Sequence, residues 1–274
     1  MSQALAARKC AVDPGAGFAI NYRDTARWEE VGLRKFLRYR DLGIAEATGG
    51  KVSARHIAAT GAVEMKTGWH CHDLDFQYVY VLNGHVRFEA EGEGEIVLKA
   101  GDGAHLPPFT MHDETEFSDD FEVLEITLPA KVETLTAKPA DTSGRPKSRF
   151  VANYLGPDSF VKGQGPRAFL EYRDLGVVEA TGGRVGLQIV RTNGGTDEST
   201  GWHYHELETQ IVYVLGGWCR TELDSYGEFE MRAGDALSVP GRLKHDVTAF
   251  SDDFEVFEIN VPAEFETVAV APPG

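Results

Sequence analysis

The chain has 274 residues, with 43 acidic against 27 basic side chains and a formal charge of −16. Nucleic acid and anionic membrane surfaces both need a basic footprint, so this balance argues against either as a partner; a small substrate stays open, because a local pocket can oppose the global sign. Apolar residues make up 42% and there are three cysteines, Cys10, Cys71 and Cys219, so a soluble core is affordable, while a disulfide framework and a membrane span of ~18 apolar residues are not in evidence. The opening MSQALAARKC has no apolar stretch behind it, and the expectation is a reduced, cytoplasmic protein.

In chain order, residues 24–37 (DTARWEEVGLRKFL) are expected to form one short helix with Asp24 as N-cap, or else an extended arm. Strand patterning then takes over. Residues 77–84 (QYVYVLNG) are a β-branched and aromatic run ending in turn residues, residues 87–98 read as strand, turn and strand, and residues 121–129 (FEVLEITLP) alternate. Residues 137–148 (AKPADTSGRPKS), rich in Pro, Gly, Ser and charge, are expected to be a linker. Residues 210–217 (QIVYVLGG) and 254–262 (FEVFEINVP) then repeat the strand signals. Short strands with Gly, Asp and Pro between them point to an all-β barrel or sandwich.

The second half is a copy of the first. Residues 36–134 align with 169–267 at a constant offset of 133 without a gap, and 50 of the 99 positions are identical. That period is too long for a solenoid unit and marks a duplicated domain. The expected organisation is a first domain over residues 1–136, the linker over 137–148 and a second domain over 149–274. The arm before residue 36 is a candidate cover for an exposed sheet edge, and a homodimer is expected.

The copies share TGWHCH (residues 67–72) and TGWHYH (residues 200–205). On a strand, His70 and His72 project to one side, about 6–7 Å apart along the chain, and Cys71 to the other. His203 and His205 do the same around Tyr204. His112 and His245, each five residues after a proline (Pro107, Pro240), are the matching third donors, so six of nine histidines fall into two triads. His56, His85 and His105 have no counterpart and are read as surface or packing residues.

With these residues the chain resembles the cupin family, as a bicupin. Gly84 and Gly217 stand where the first motif of that family ends, and Gln77 and Gln210 stand in its acidic position. Gly101, Pro107 and His112, then Gly234, Pro240 and His245, match the second motif, with Phe109 and Arg242 replacing its middle glycine and Glu116 or Ala249 its closing asparagine. The resemblance implies two tandem double-stranded β-helix barrels, each with a metal in its mouth. It also implies non-haem Fe(II) and dioxygen acting on a small substrate that chelates through oxygen or sulfur. Imidazole donors also suit Zn, Ni, Cu and Mn to differing degrees, up to two ions per chain, so an oxygen-independent Lewis-acid isomerase, cyclase or lyase with Zn, Ni or Mn and a non-catalytic binding protein stay open.

Gln in place of an acid leaves a divalent ion at +2 rather than +1, which favours anionic substrate oxygens. Gln77 and Gln210 are therefore candidate catalytic residues that orient substrate or water. Phe109, Arg242, Tyr80 and Tyr213 are candidate substrate contacts. Phe76, Tyr78, Phe109 and Met111 would make the first pocket apolar, and Arg242 would let the second hold a carboxylate. Glu125 and Glu258 lie on apolar faces, and Arg40 or Arg173 are their expected partners. Trp69 and Trp202 are expected in the core, and residues 118–122 and 251–255 (SDDFE) in turns.

Overall fold

The computed structural model describes residues 8–30, 36–61, 66–164, 168–193 and 199–273. Nearly all regular structure among them is β-strand, in two compact units. None of the described helices is long and apolar enough to cross a membrane.

The first unit spans residues 27–155 with a small contribution from 180–182. One antiparallel sheet runs in the order Val151–Asn153, Gly103–Leu106, Phe76–Asn83, Glu122–Leu128, Ser53–Ala59, Leu37–Asp41. A second has His112–Phe117, His85–Ala90 and Gly94–Lys99, and Cys71–Asp73 pairs with Glu133–Leu135. The strand His85–Ala90 alternates half-buried and buried positions along its whole length, the pattern of a strand with one wet face. Val86, Phe88 and Leu98 from the smaller sheet join Val81, Val123 and Leu106 from the larger in one core cluster.

The second unit takes residues 156–179 and 183–273, and also the N-terminal residues 8–26. Its large sheet runs Ala11–Asp13, Phe18–Asn21, Ala236–Pro240, Thr209–Gly216, Glu255–Val261, Gly186–Thr192, Leu170–Asp174, Val161–Lys162. Its smaller sheet runs Gly227–Arg232, Trp218–Leu223, His245–Phe250, His203–His205, Thr267–Ala269. Phe18, Ile20, Leu237, Phe229 and Phe250 share one core.

Three expectations change here. Among the described residues of 24–37 there is no helix: Tyr22–Ala26 closes a turn, Glu29 exchanges backbone hydrogen bonds with Tyr39 and Leu37 begins a strand, while residues 31–35 of the expected helix lie outside the described residues. Trp28 instead packs its ring on His56 and under Arg38, and such contacts override a weak local helix preference. The arm does cover a sheet edge, but that of the second unit, where Ala19 to Asn21 pair with Ser238 to Ala236. Arg8 ties it down through Asp235 at 2.9 Å. Thirdly, the first unit extends to residue 155. Within residues 137–148, Lys138 pairs with Glu91 and Arg145 with Asp73 (2.6 Å) and Asp75 (3.0 Å), which hold that segment against the first barrel.

Gly84 and Gly217 show what the repeated turn requires. Their φ values are 67° and 61°, and a Cβ there would collide with the hydroxyl of Ser118 or Ser251. Each serine is the first residue of an SDDFE turn and caps the backbone N–H of residue 85 or 218 at 2.8 Å, so glycine and turn are one device.

Candidate metal centres

In the first unit, His70 bridges to His112 by a pair of backbone hydrogen bonds of 3.0 and 2.8 Å. His72 pairs in register with Thr134. The three rings converge with centroids 4.3–5.2 Å apart. In the second unit His203 is in register with His245 and His205 with Thr267, and centroids are 4.4–5.1 Å apart. In each triad one donor atom per residue lies within 4.8 Å of the others. Cys71 is buried behind the first triad and burial pushes its thiol pKa up.

The outer ring nitrogens decide which atom is left for an ion. His70 Nδ1 meets the Gly68 carbonyl at 2.7 Å, His112 Nδ1 the Thr110 carbonyl at 2.9 Å, His203 Nδ1 the Gly201 carbonyl at 2.6 Å and His245 Nδ1 the Leu243 carbonyl at 2.9 Å. A carbonyl only accepts, so Nδ1 carries the proton and a neutral ring presents the Nε2 lone pair inward. His72 and His205 are held at Nδ1 by Thr134 and Thr267, 3.1 and 3.0 Å away. Such outer partners fix metal-ligating imidazoles. Three neutral imidazoles in a tight group form a donor set that fits a divalent metal, and both triads have it.

Around the triads the units diverge. The first lines a cavity of about 870 Å³ whose wall includes Tyr39, Arg55, Trp69, Phe88, Gln77 and Glu125. The second lines one of about 150 Å³, walled by Tyr172, Val190, Val212, Leu237, Val247 and Phe265 among others. Cys219 also lines the second, but burial pushes its thiol to about 12, which removes it as a thiolate nucleophile at neutral pH.

Gln77 and Gln210 are both buried in their cavity walls. Gln77 donates its amide N–H to Glu125 at 3.2 Å, and Gln210 donates to Asn260 at 3.1 Å. Glu125 also accepts from Arg55 at 3.0 Å, not from Arg40, because the sheet sets Glu125 directly opposite Arg55. Glu258 accepts from Gln188 at 2.7 Å, where the first copy has that arginine.

The other candidate contacts lie elsewhere. Tyr80 and Tyr213 are buried but sit outside the cavity walls, since strand alternation gives the inward positions to Gln77 and Val79 and to Gln210 and Val212. Phe109 and Arg242 occupy turn positions with φ of 58° and 64°, and their backbone N–H groups bond the carbonyls of His72 and His205 at 3.1 and 3.0 Å. Phe109 is buried away from the cavity. Arg242 is 75% exposed and paired with Glu206. Phe76 stacks on His105, also away from the cavity. The expected contrast is therefore not found: the first cavity carries Arg55, Glu114 and Glu125, while the second keeps Glu258 but has Gln188 and Val247 in place of the other two. Trp69 is 45% exposed on the wall of the first cavity, not in the core.

One acidic residue went unread in the sequence. Glu114 brings its carboxylate oxygens to 3.7 Å from His112 Nε2 and 3.9 Å from His70 Nε2. It sits two residues after His112 on the same strand, so alternation from His112 was the available signal. With that carboxylate ionised, a divalent ion in the first centre would leave a local charge of +1, not the expected +2. Val247 takes the place in the second copy.

A family model described as Cupin domain matches residues 60–126 and again 189–260, half of the chain. No curated protein matches the chain. Among solved structures, the protein Ylba from E. coli is similar with 14% identity over 95% of this chain and 96% of its own, TM-score 0.65. A deletion mutant of Bacillus subtilis oxalate decarboxylase OxdC has 14% identity over 95% of this chain and 80% of its own, TM-score 0.65. The 7S globulin of Momordica charantia has 12% over 92% and 86%, TM-score 0.63. At these identities the likeness bears on the fold alone.

Proposed function

We propose that this chain, which belongs to the cupin family and carries two three-histidine metal-binding sites, is a metal-dependent enzyme whose first barrel acts on a small chelating substrate, as a non-haem Fe(II) dioxygenase. The observation that supports it is the inequality of the two cavities, about 870 Å³ beside the first triad and about 150 Å³ beside the second. Only the former matches the usual ~300–1,000 Å³ of a site for an organic ligand.

His70, His72 and His112 would hold one ion through Nε2, and His203, His205 and His245 the other. When bound, the ion would supply a Lewis-acid and redox centre for substrate oxygen and dioxygen. The residues around it do the rest. Gln77, fixed by Glu125, orients a polar group of the substrate, and Arg55 offers its remaining N–H groups to a substrate oxygen. Phe88, Phe117 and Val123 exclude water from the apolar part of the cavity.

A second reading, oxygen-independent Lewis-acid chemistry with Zn, Ni or Mn, is favoured by two carboxylates, Glu114 and Glu125, in the same cavity wall. Such a pair can take up and return a proton. The test is oxygen uptake by Fe(II)-loaded protein against diketones, phenolic acids and thiols. Oxygen consumed in step with substrate, and lost in His70→Ala, is the expected result. Turnover of the same substrate under argon assigns the second reading, and tight binding without turnover assigns a binding protein.

A further inference from the structure

We infer that Glu114 is a carboxylate ligand of the first centre, so that one chain holds two metals through different donor sets: three imidazoles and a carboxylate in the first barrel, three imidazoles alone in the second. This rests on the metal reading of the triads and not on the reaction proposed for them.

Two donors sharing one ion at bonds of ~2.1 Å lie about 3.4 Å apart in a tetrahedral arrangement. Glu114 Oε1 stands 3.7 Å from the inward nitrogen of His112 and Oε2 3.9 Å from that of His70, close to this spacing for two of the three imidazoles, so the carboxylate would swing toward the His72 side to share their ion. The carboxylate is also aimed. Thr67, just before the His-x-His segment, donates its hydroxyl to Glu114 Oε2 and accepts the Glu114 N–H at 3.0 Å. Asp113 accepts from the Gly68 N–H at 2.8 Å and fastens the same two segments.

The second unit has the same scaffold without the ligand. The Thr200 hydroxyl accepts the Val247 N–H at 3.0 Å and donates to Asp246 at 3.1 Å. Both copies also carry a register shift one residue further on, past Glu114 and past Val247, and a bulge of this kind re-aims side chains beside a site. One substitution, Glu for Val on matched scaffolds, separates the centres. The family's acidic position is Gln77, and Glu114 restores its charge from a different strand.

The experiment uses the full chain loaded with Co(II), dialysed against graded chelator, with cobalt counted per chain and the visible spectrum recorded. His203→Ala provides a background in which only the first centre is complete, and His70→Ala one in which only the second is. In the former, Glu114→Gln is expected to weaken cobalt retention at least 10- to 100-fold, the range seen when even an outer partner of a ligand is lost, and to shift the cobalt spectrum. In the latter, Val247→Glu is expected to strengthen retention and move the spectrum the opposite way. If Glu114→Gln melts like its parent and leaves both retention and spectrum unchanged, Glu114 is only a hydrogen-bond partner of Thr67 and the inference is overturned. If the native chain retains no cobalt, the metal reading fails as well, and the two failures are distinguishable.

Discussion

The two barrels share half of their aligned residues and an equivalent triad, yet one triad faces a roomy cavity with several charged groups and the other a narrow one with fewer. The difference is concentrated at a few wall positions. Arg55, Phe88 and Glu114 in the first copy become Gln188, Thr221 and Val247 in the second. Duplication kept the ligand scaffold, whose backbone carbonyls and threonines fix the imidazoles in both copies, and changed the walls. This is the pattern expected if metal binding is retained twice and substrate handling once.

The largest expected effect tests that division. His70→Ala should lower turnover by about 100-fold or more, since loss of even an outer partner of a ligand costs 10- to 100-fold. His203→Ala should release one metal per chain with a far smaller loss, read by steady-state rates and metal analysis. Equal losses from both would mean that both barrels turn over.

Core truncation should separate the barrels by size of side chain. Leu124 and Phe257 occupy the same position in the two copies and are fully buried. Phe257→Ala should cost about 3–5 kcal/mol and Leu124→Ala about 2–5 kcal/mol, each shifting the melting of its own unit in calorimetry.

Arg55→Gln copies the second wall into the first. Removing an anchor used equally in ground and transition states raises KM and leaves kcat little changed, and about a tenfold rise in KM for an oxygen-rich substrate is expected. A fall in kcat at constant KM would place Arg55 in the chemical step instead.

The smallest effect concerns Glu122 and Glu255, again one position in two settings. Glu122 meets His56 Nε2 at 2.7 Å, whereas Ile189 stands where that histidine would be, and burial pushes the Glu255 carboxyl pKa up. An acid whose folded pKa exceeds its unfolded one costs stability as pH rises through that folded value. Glu255→Gln should therefore raise the melting temperature at about pH 8 by about 1–2 °C and leave it unchanged at about pH 3, where the group is protonated in both states. Glu122→Gln should destabilise by about 1 kcal/mol or more, by weakening a partly buried pair. A gain for Glu255→Gln that is the same at both pH values would exclude titration as its cause.

Much of the site was legible because its signals are local. His-x-His on a strand must put two imidazoles on one face, and repetition at a fixed offset doubles that evidence. The all-β architecture follows from short-range patterning, the third histidine from its matched position in the two copies, and the barrels from the resemblance that the motifs carry. The walls were misread for the opposite reason. Phe109 and Arg242 lie close to the histidines in sequence but sit in a left-handed turn that aims them away, while Arg55, 15 residues before His70, reaches the cavity only through its pairing across the sheet from Glu125.

By itself, then, the sequence determined the repeat, by alignment of its halves, and the strand periodicity and the six imidazole donors, by alternation within each His-x-His segment and by the matched positions of His112 and His245. Tertiary structure alone decided that residues 8–26 belong to the second barrel and that Trp28 starts no helix. It also decided the volume of each cavity and the approach of Glu114 to His70, since these depend on which distant strands pair and in what register.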